Sequence, residues 1–144
     1  MKIVNKSAYF NYDIKDTIEA GITLTGPEVK AVRGNQVDLS GSHVRIVGSE
    51  AYLINAKIYP YKFANVENYD EKRTRKLLLH KREIISLKSK VEGSEMTLVP
   101  TSLYAKHGVI KVEVGIGKGK KKYQKKEAIK KRDIARDIES EFGI

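Results

Sequence analysis

The chain has 144 residues, no cysteine and a formal net charge of +10, which is enough length for one domain with its own core. Without cysteine it has no disulfide, no thiolate nucleophile and no cysteine-based zinc site, and a cytoplasmic location is expected. No apolar run approaches the roughly 18 residues that span a bilayer, and no apolar core follows Lys2 and Lys6 as a signal peptide requires.

Ser7-Ala8-Tyr9-Phe10-Asn11-Tyr12 has the aromatic content of a strand. Thr25-Gly-Pro-Glu28 then opens a helix: Thr25 caps, Glu28 stands three residues on as in a capping box, and Pro27 suits the first turn. This helix, Pro27 to Val32, is expected to end at Gly34 in the left-handed conformation. Val44–Val47 and Ala51–Ile58 flank Gly48-Ser49-Glu50, a hairpin with a three-residue turn. Residues 62–72 have no clear period and read as an exposed loop. Leu77-Leu78-Leu79 is a short apolar strand, and His80 to Val91 a helix with Ile84, Leu87 and Val91 on one face.

Thr97–Ala105 and Val109–Ile116 form a second hairpin around Lys106-His107-Gly108. In its second strand Ile110, Val112, Val114 and Ile116 share one face and Lys111 and Glu113 the other, the pattern of a half-buried antiparallel strand. Pro100 predicts an edge position or a bulge. Five or six strands with few short helices predict a mainly β fold, a small closed or nearly closed barrel over residues 1–117. Gly115, Gly117 and Gly119 read as a flexible hinge into a tail, residues 118–144.

That tail begins with the densest charge in the chain. Lys118 to Arg132 holds nine basic residues, among them Lys120, Lys121, Lys122, Lys125, Lys126, Lys130 and Lys131, against the single acid Glu127. Such charge must be solvated or neutralised by a polyanion. Tyr123 inside it offers a face for a base or a sugar, which suits RNA or single-stranded DNA better than a membrane. Residues 127–139 have helical spacing, but so short a basic helix is only partly formed in water and is expected to fold on a partner. The bland alternative is a solvated tail.

A second basic cluster, Lys72 to Lys76 with His80-Lys81-Arg82, brackets the three leucines. Cations can take phosphates while an exposed leucine packs on a base; equally, the leucines can be core and the cations solvated. Glu19 and Glu28 can accept from a base edge or a 2′-hydroxyl, with a surface charge and the capping box as their plainer roles. His43, His80 and His107 lack the spacing of a metal set, and the glycine stretch 115–120 lacks the spacing of a phosphate-binding loop. No cofactor and no catalytic residue are expected.

Taken in order and spacing, several segments resemble the SmpB family (small protein B), the transfer-messenger RNA-binding proteins of bacterial ribosome rescue. They are Asn5-Lys6, Glu19-Ala-Gly-Ile22, Leu24-Thr-Gly26, Glu28-Val-Lys30, Arg73 to Ile84, Thr97 to Pro100, Leu103-Tyr104 and Gly117 to Lys122. The resemblance implies an oligonucleotide-binding (OB)-like barrel that grips the tRNA-like domain of transfer-messenger RNA, with contacts at Asn5, Glu19, Leu78 and His80. Lys76 and Lys118 are added as phosphate contacts from their charge. It also implies a monomeric, non-enzymatic adaptor whose tail turns helical in the empty mRNA channel and decoding site of the ribosome. Elongation factor Tu and alanyl-tRNA synthetase are implied as indirect partners through the RNA. Gln124-Lys125-Lys126 departs from the family's Asp-Lys-Arg, so a forked guanidinium is replaced by lysine.

Overall fold

The computed structural model describes residues 1–64, 67–121 and Lys125. Twelve elements follow in chain order: β1 (Lys2–Val4), α1 (Lys6–Asn11), β2 (Tyr12–Ile22), α2 (Gly26–Arg33), β3 (Val37–Asp38), β4 (His43–Val47), β5 (Glu50–Ile54), β6 (Lys57–Ile58), β7 (Arg75–Leu78), α3 (Lys81–Val91), β8 (Met96–Lys106) and β9 (Val109–Gly119). Seven strands form one sheet in the order β1-β8-β4-β5-β7-β2-β9, and a further β8–β9 pairing closes it into a barrel. Every recorded pairing is antiparallel. The mainly β, barrel-like expectation therefore holds, with three short helices among the described residues.

Alternation fills the barrel. Ile110, Val112, Val114 and Ile116 of β9 all point inward and are buried, where they meet Leu53 of β5, Leu77 of β7 and Leu98 and Leu103 of β8. Each such side chain contributes roughly 1.5–3 kcal/mol of burial. Helix α3 adds Leu87 to this core, with Val91 packed against it, while its Lys81, Arg82, Lys88 and Lys90 stay in solvent. The capping box at α2 is present: Thr25 Oγ1 accepts from the Glu28 N–H, and Glu28 Oε1 accepts from the Thr25 N–H at 2.9 Å.

Several local expectations are corrected. Ser7–Asn11 is helix α1 and only Tyr12 joins a strand. The aromatic run has no two-residue alternation, and the preceding Asn5 is buried and pinned by its amide, which donates to the carbonyls of Pro100 (2.8 Å) and Leu39 (3.3 Å). Gly34 has φ −88°, and the left-handed position after α2 falls on Asn35 instead. The β4–β5 turn has two residues, because Val47 pairs with Glu50; Gly48, at φ +62°, takes the position a type II′ turn reserves for glycine. The expected strand to Ile58 breaks after Ile54: Asn55 is left-handed, and β6 pairs with β3 instead. At Pro100 the bulge is present, and β8 lies inside the sheet rather than at its edge.

The hinge reading of the glycines is also overturned. β9 continues to Gly119, and its glycines are places of close approach. A β-carbon on Gly115 would stand 2.7 Å from Thr101 Cγ2, and one on Gly117 would stand 2.9 Å from the Asp13 carbonyl oxygen. Only a missing side chain lets β2 and β8 lie this tightly against β9.

Candidate nucleic-acid interface

The outward face of the sheet is assembled by register. Leu78 of β7 stands opposite Gly21 of β2, Gly21 opposite Lys111 of β9, and Lys111 opposite Tyr104 of β8. Gly21 matters here, because a β-carbon on it would meet Leu78 Cβ at 3.1 Å. Inward neighbours Arg75 and Leu77 are buried, so Lys76 and Leu78 face out, and Leu78 is 55% exposed. A large apolar side chain left so open within a sheet row is a ready surface for a base.

A groove of about 720 Å³ lies over this row, lined by Glu19, Gly21, Lys76, Leu78, His80 and Lys111 among others. Glu19 is its acceptor. The Tyr104 hydroxyl donates to Glu19 Oε2, and Lys106 Nζ lies 3.5 Å from the carboxylate. The Tyr104 hydrogen bond holds the Glu19 carboxyl below the ordinary range, against a desolvation cost and with help from Lys106 and Lys111. Burial, and then Glu19 itself, push the Tyr104 hydroxyl upward, so it stays a donor. Lys76 Nζ pairs with Glu50 Oε2 at 2.6 Å, which raises its pKa. His80 is exposed at the N-cap of α3, its backbone N–H donating to Glu83 Oε1 at 2.8 Å, and it is among the residues lining the groove.

Beneath the groove, Arg75 belongs to the interior. It is fully buried and donates through Nε to Glu28 Oε2 at 2.7 Å and through Nη1 to the carbonyls of Ala56 and Arg73. Arg73 Nη2 meets the other oxygen of Glu28 at 2.5 Å. Burial pushes the Glu28 carboxyl up, but Arg73, the Thr25 N–H and Arg75 outweigh it, and the net shift is downward. The basic cluster at 72–76 is thus split: Arg75 ties α2 and the 71–73 turn to β7, and Lys76 is left for the surface.

Of the residues named from the sequence, Glu19, Lys76, Leu78 and His80 line one groove. Asn5 does not join them. It lines a second cleft with Ser42, His43, Lys120 and Lys125. Lys118 sits further along β9, opposite Asp13, and its ammonium pairs with Glu95 at 2.9 Å, which raises its pKa. Lys120 donates to the Tyr9 carbonyl at 2.9 Å, Lys125 Nζ stands 6.0 Å from the centre of the Phe10 ring, and Lys121 is exposed. Lys122, Tyr123, Lys126, Lys130, Lys131 and Arg132 lie outside the described residues. Sequence reasoning missed Tyr104, Lys106 and Lys111, which reach Glu19 only through β8 and β9; the outward phase of Lys111 was legible, its neighbours were not.

Cations, an ionised acceptor and an open leucine on one face of a small barrel define an RNA-binding β-barrel. Among the described residues no metal-ligand cluster and no membrane-length apolar helix occurs. The chain matches the family described as SmpB protein over residues 2–143. It is 49% identical over 138 residues to the SsrA-binding protein of Persephonella marina, covering 96% of this chain and 91% of that one. It is 48% identical over 138 residues to the SsrA-binding protein of Elusimicrobium minutum, covering 96% and 88%. A solved structure described as "tmRNA-SmpB: a journey to the center of the bacterial ribosome" superposes with a TM-score of 0.71 at 42% identity, covering 89% of this chain and 94% of that one. The chain belongs to the SmpB protein family.

Proposed function

We propose that this protein binds SsrA RNA, the transfer-messenger RNA (tmRNA), and brings it to stalled ribosomes for trans-translation. It is a binding protein and not an enzyme. The observation that carries the RNA contact is the groove at Leu78. Its open leucine packs an unpaired base, Glu19 accepts from a base edge or a 2′-hydroxyl, His80 adds a hydrogen-bonding ring, and Lys76 meets a phosphate after leaving Glu50. An exposed pair such as Lys76–Glu50 contributes little to stability, so the exchange costs little.

Asn5 supports the RNA-facing cleft beside Lys120 from its buried position. Lys118 is the weaker assignment, since it must leave Glu95. Residues 122–144, with Tyr123 and the lysines around it, take the vacant mRNA channel and decoding site, where ribosomal RNA neutralises their charge. The protein acts in the cytoplasm as a monomer, and meets elongation factor Tu and alanyl-tRNA synthetase only through the RNA.

A competition assay at about 150 mM salt tests this. Labelled tRNA-like domain is displaced by unlabelled tRNA-like domain, ordinary tRNA or single-stranded RNA. Strong preference for the tRNA-like domain is expected. Equal displacement by all three makes the protein a generic RNA-binding barrel.

A further inference from the structure

The sheet face does not end at the groove. In register, Lys76 of β7 stands opposite Tyr52 of β5, and Tyr52 opposite Arg45 of β4. Ala51 and Leu53 are buried, so Tyr52 points outward with its two neighbours. The row Lys76–Tyr52–Arg45 thus runs beside the row Leu78–Glu50–Val47, two residues or about 7 Å further along the strands. Lys76 and Arg45 stand two strand spacings apart, about 10 Å, with the phenol ring between them. Arg45 is exposed, and its guanidinium has no partner among the described residues.

A ring flanked by two cations on an open sheet is the arrangement that holds single-stranded RNA: the ring takes a base, the cations its adjoining phosphates. A protein partner would need a broader apolar surface: Val47 and Leu78 are exposed in the adjoining row, but Glu50 lies between them and Lys76 and Arg45 flank the ring. The row is also continuous with the groove through Lys76, which borders both.

Resting on the RNA-binding reading above, we infer that the bound RNA extends beyond the groove. A second unpaired nucleotide stacks on Tyr52, with Arg45 and Lys76 on its phosphates. Arg45 supplies a planar fork for phosphate, and Glu50 holds Lys76 in place until the RNA arrives.

The test uses the full chain and the transcribed tRNA-like domain of a bacterial tmRNA, with Arg45→Ala, Tyr52→Ala, Tyr52→Phe and Leu78→Ala. Arg45→Ala is expected to weaken binding about tenfold and to reduce the slope of log affinity against log salt by about 0.7–0.9. Tyr52→Ala is expected to weaken it about fivefold or more, with Tyr52→Phe near wild type, because stacking needs the ring and not the hydroxyl. Tyr52→Phe also keeps the packing, so a fold defect in Tyr52→Ala is separated by comparing melting curves, and Arg45→Ala then decides. If Arg45→Ala and Tyr52→Ala bind as wild type while Leu78→Ala is impaired, the extension is overturned and the groove stands. If all of these variants bind as wild type, both are overturned.

Discussion

Glu19 illustrates how neighbours decide what a surface acid does. The Tyr104 hydroxyl, Lys106 and Lys111 all favour its ionised form. Its folded pKa is depressed, so the charge is present above the ordinary carboxyl value and is lost only as pH falls through the lower one. RNA affinity is therefore expected to show no Glu19 titration between pH 5.5 and 8, by fluorescence anisotropy across that range. Glu19→Gln keeps the shape and removes the charge, and is expected to weaken binding about tenfold. Glu28 has the same sign with a different consequence. Its stabilising contribution is full above the unfolded carboxyl value near 4.3 and is lost as pH falls through its lower folded value. Glu28→Ala leaves Arg75 charged and buried without its carboxylate, and is expected to cost about 3–5 kcal/mol in denaturant unfolding.

At the level of elements, β9 is where spacing and composition point in different directions. Its first eight residues were readable from alternation alone, as was α3 from the spacing of Ile84, Leu87 and Val91. Its last three were not, because Gly117 and Gly119 have no side chain to betray a face. Whether a glycine frees the chain or lets another strand approach depends on the neighbour across from it, which a single sequence does not contain. The same holds for the site. Lys76, Leu78 and His80 lie close in sequence and Glu19 was named as an acceptor by its chemistry and again by resemblance, but Tyr104 and Lys111 needed strand order. Arg75 could not be told from its exposed neighbours by charge. The glycine reading is testable: Gly117→Ala is expected to lower stability by about 1–3 kcal/mol in thermal melts, whereas Gly119→Ala, with nothing within 4 Å of its would-be β-carbon, is expected to be near neutral.

For the whole molecule, the extent of β9 says where a truncation must fall. Gly117 and Lys118 still pair with β2 and β8, and the Lys120 N–H donates to the Asn11 carbonyl at 2.8 Å. A chain ending after Lys121 is therefore expected to keep its melting temperature and its affinity for the tRNA-like domain, and to lose peptide tagging in a reconstituted stalled-translation assay. A cut after Gly117 is expected to lower both stability and affinity. β9 has a further consequence. Lys111 borders the RNA groove, and Gly119 lies eight residues on, about 26 Å along one strand that is paired on both sides. The interval between the groove proposed to grip RNA and the end of β9 is thus a ruler of fixed length. On the function proposed above, an adaptor that sets one end of an RNA against a tail in a narrow channel measures that distance in strand residues.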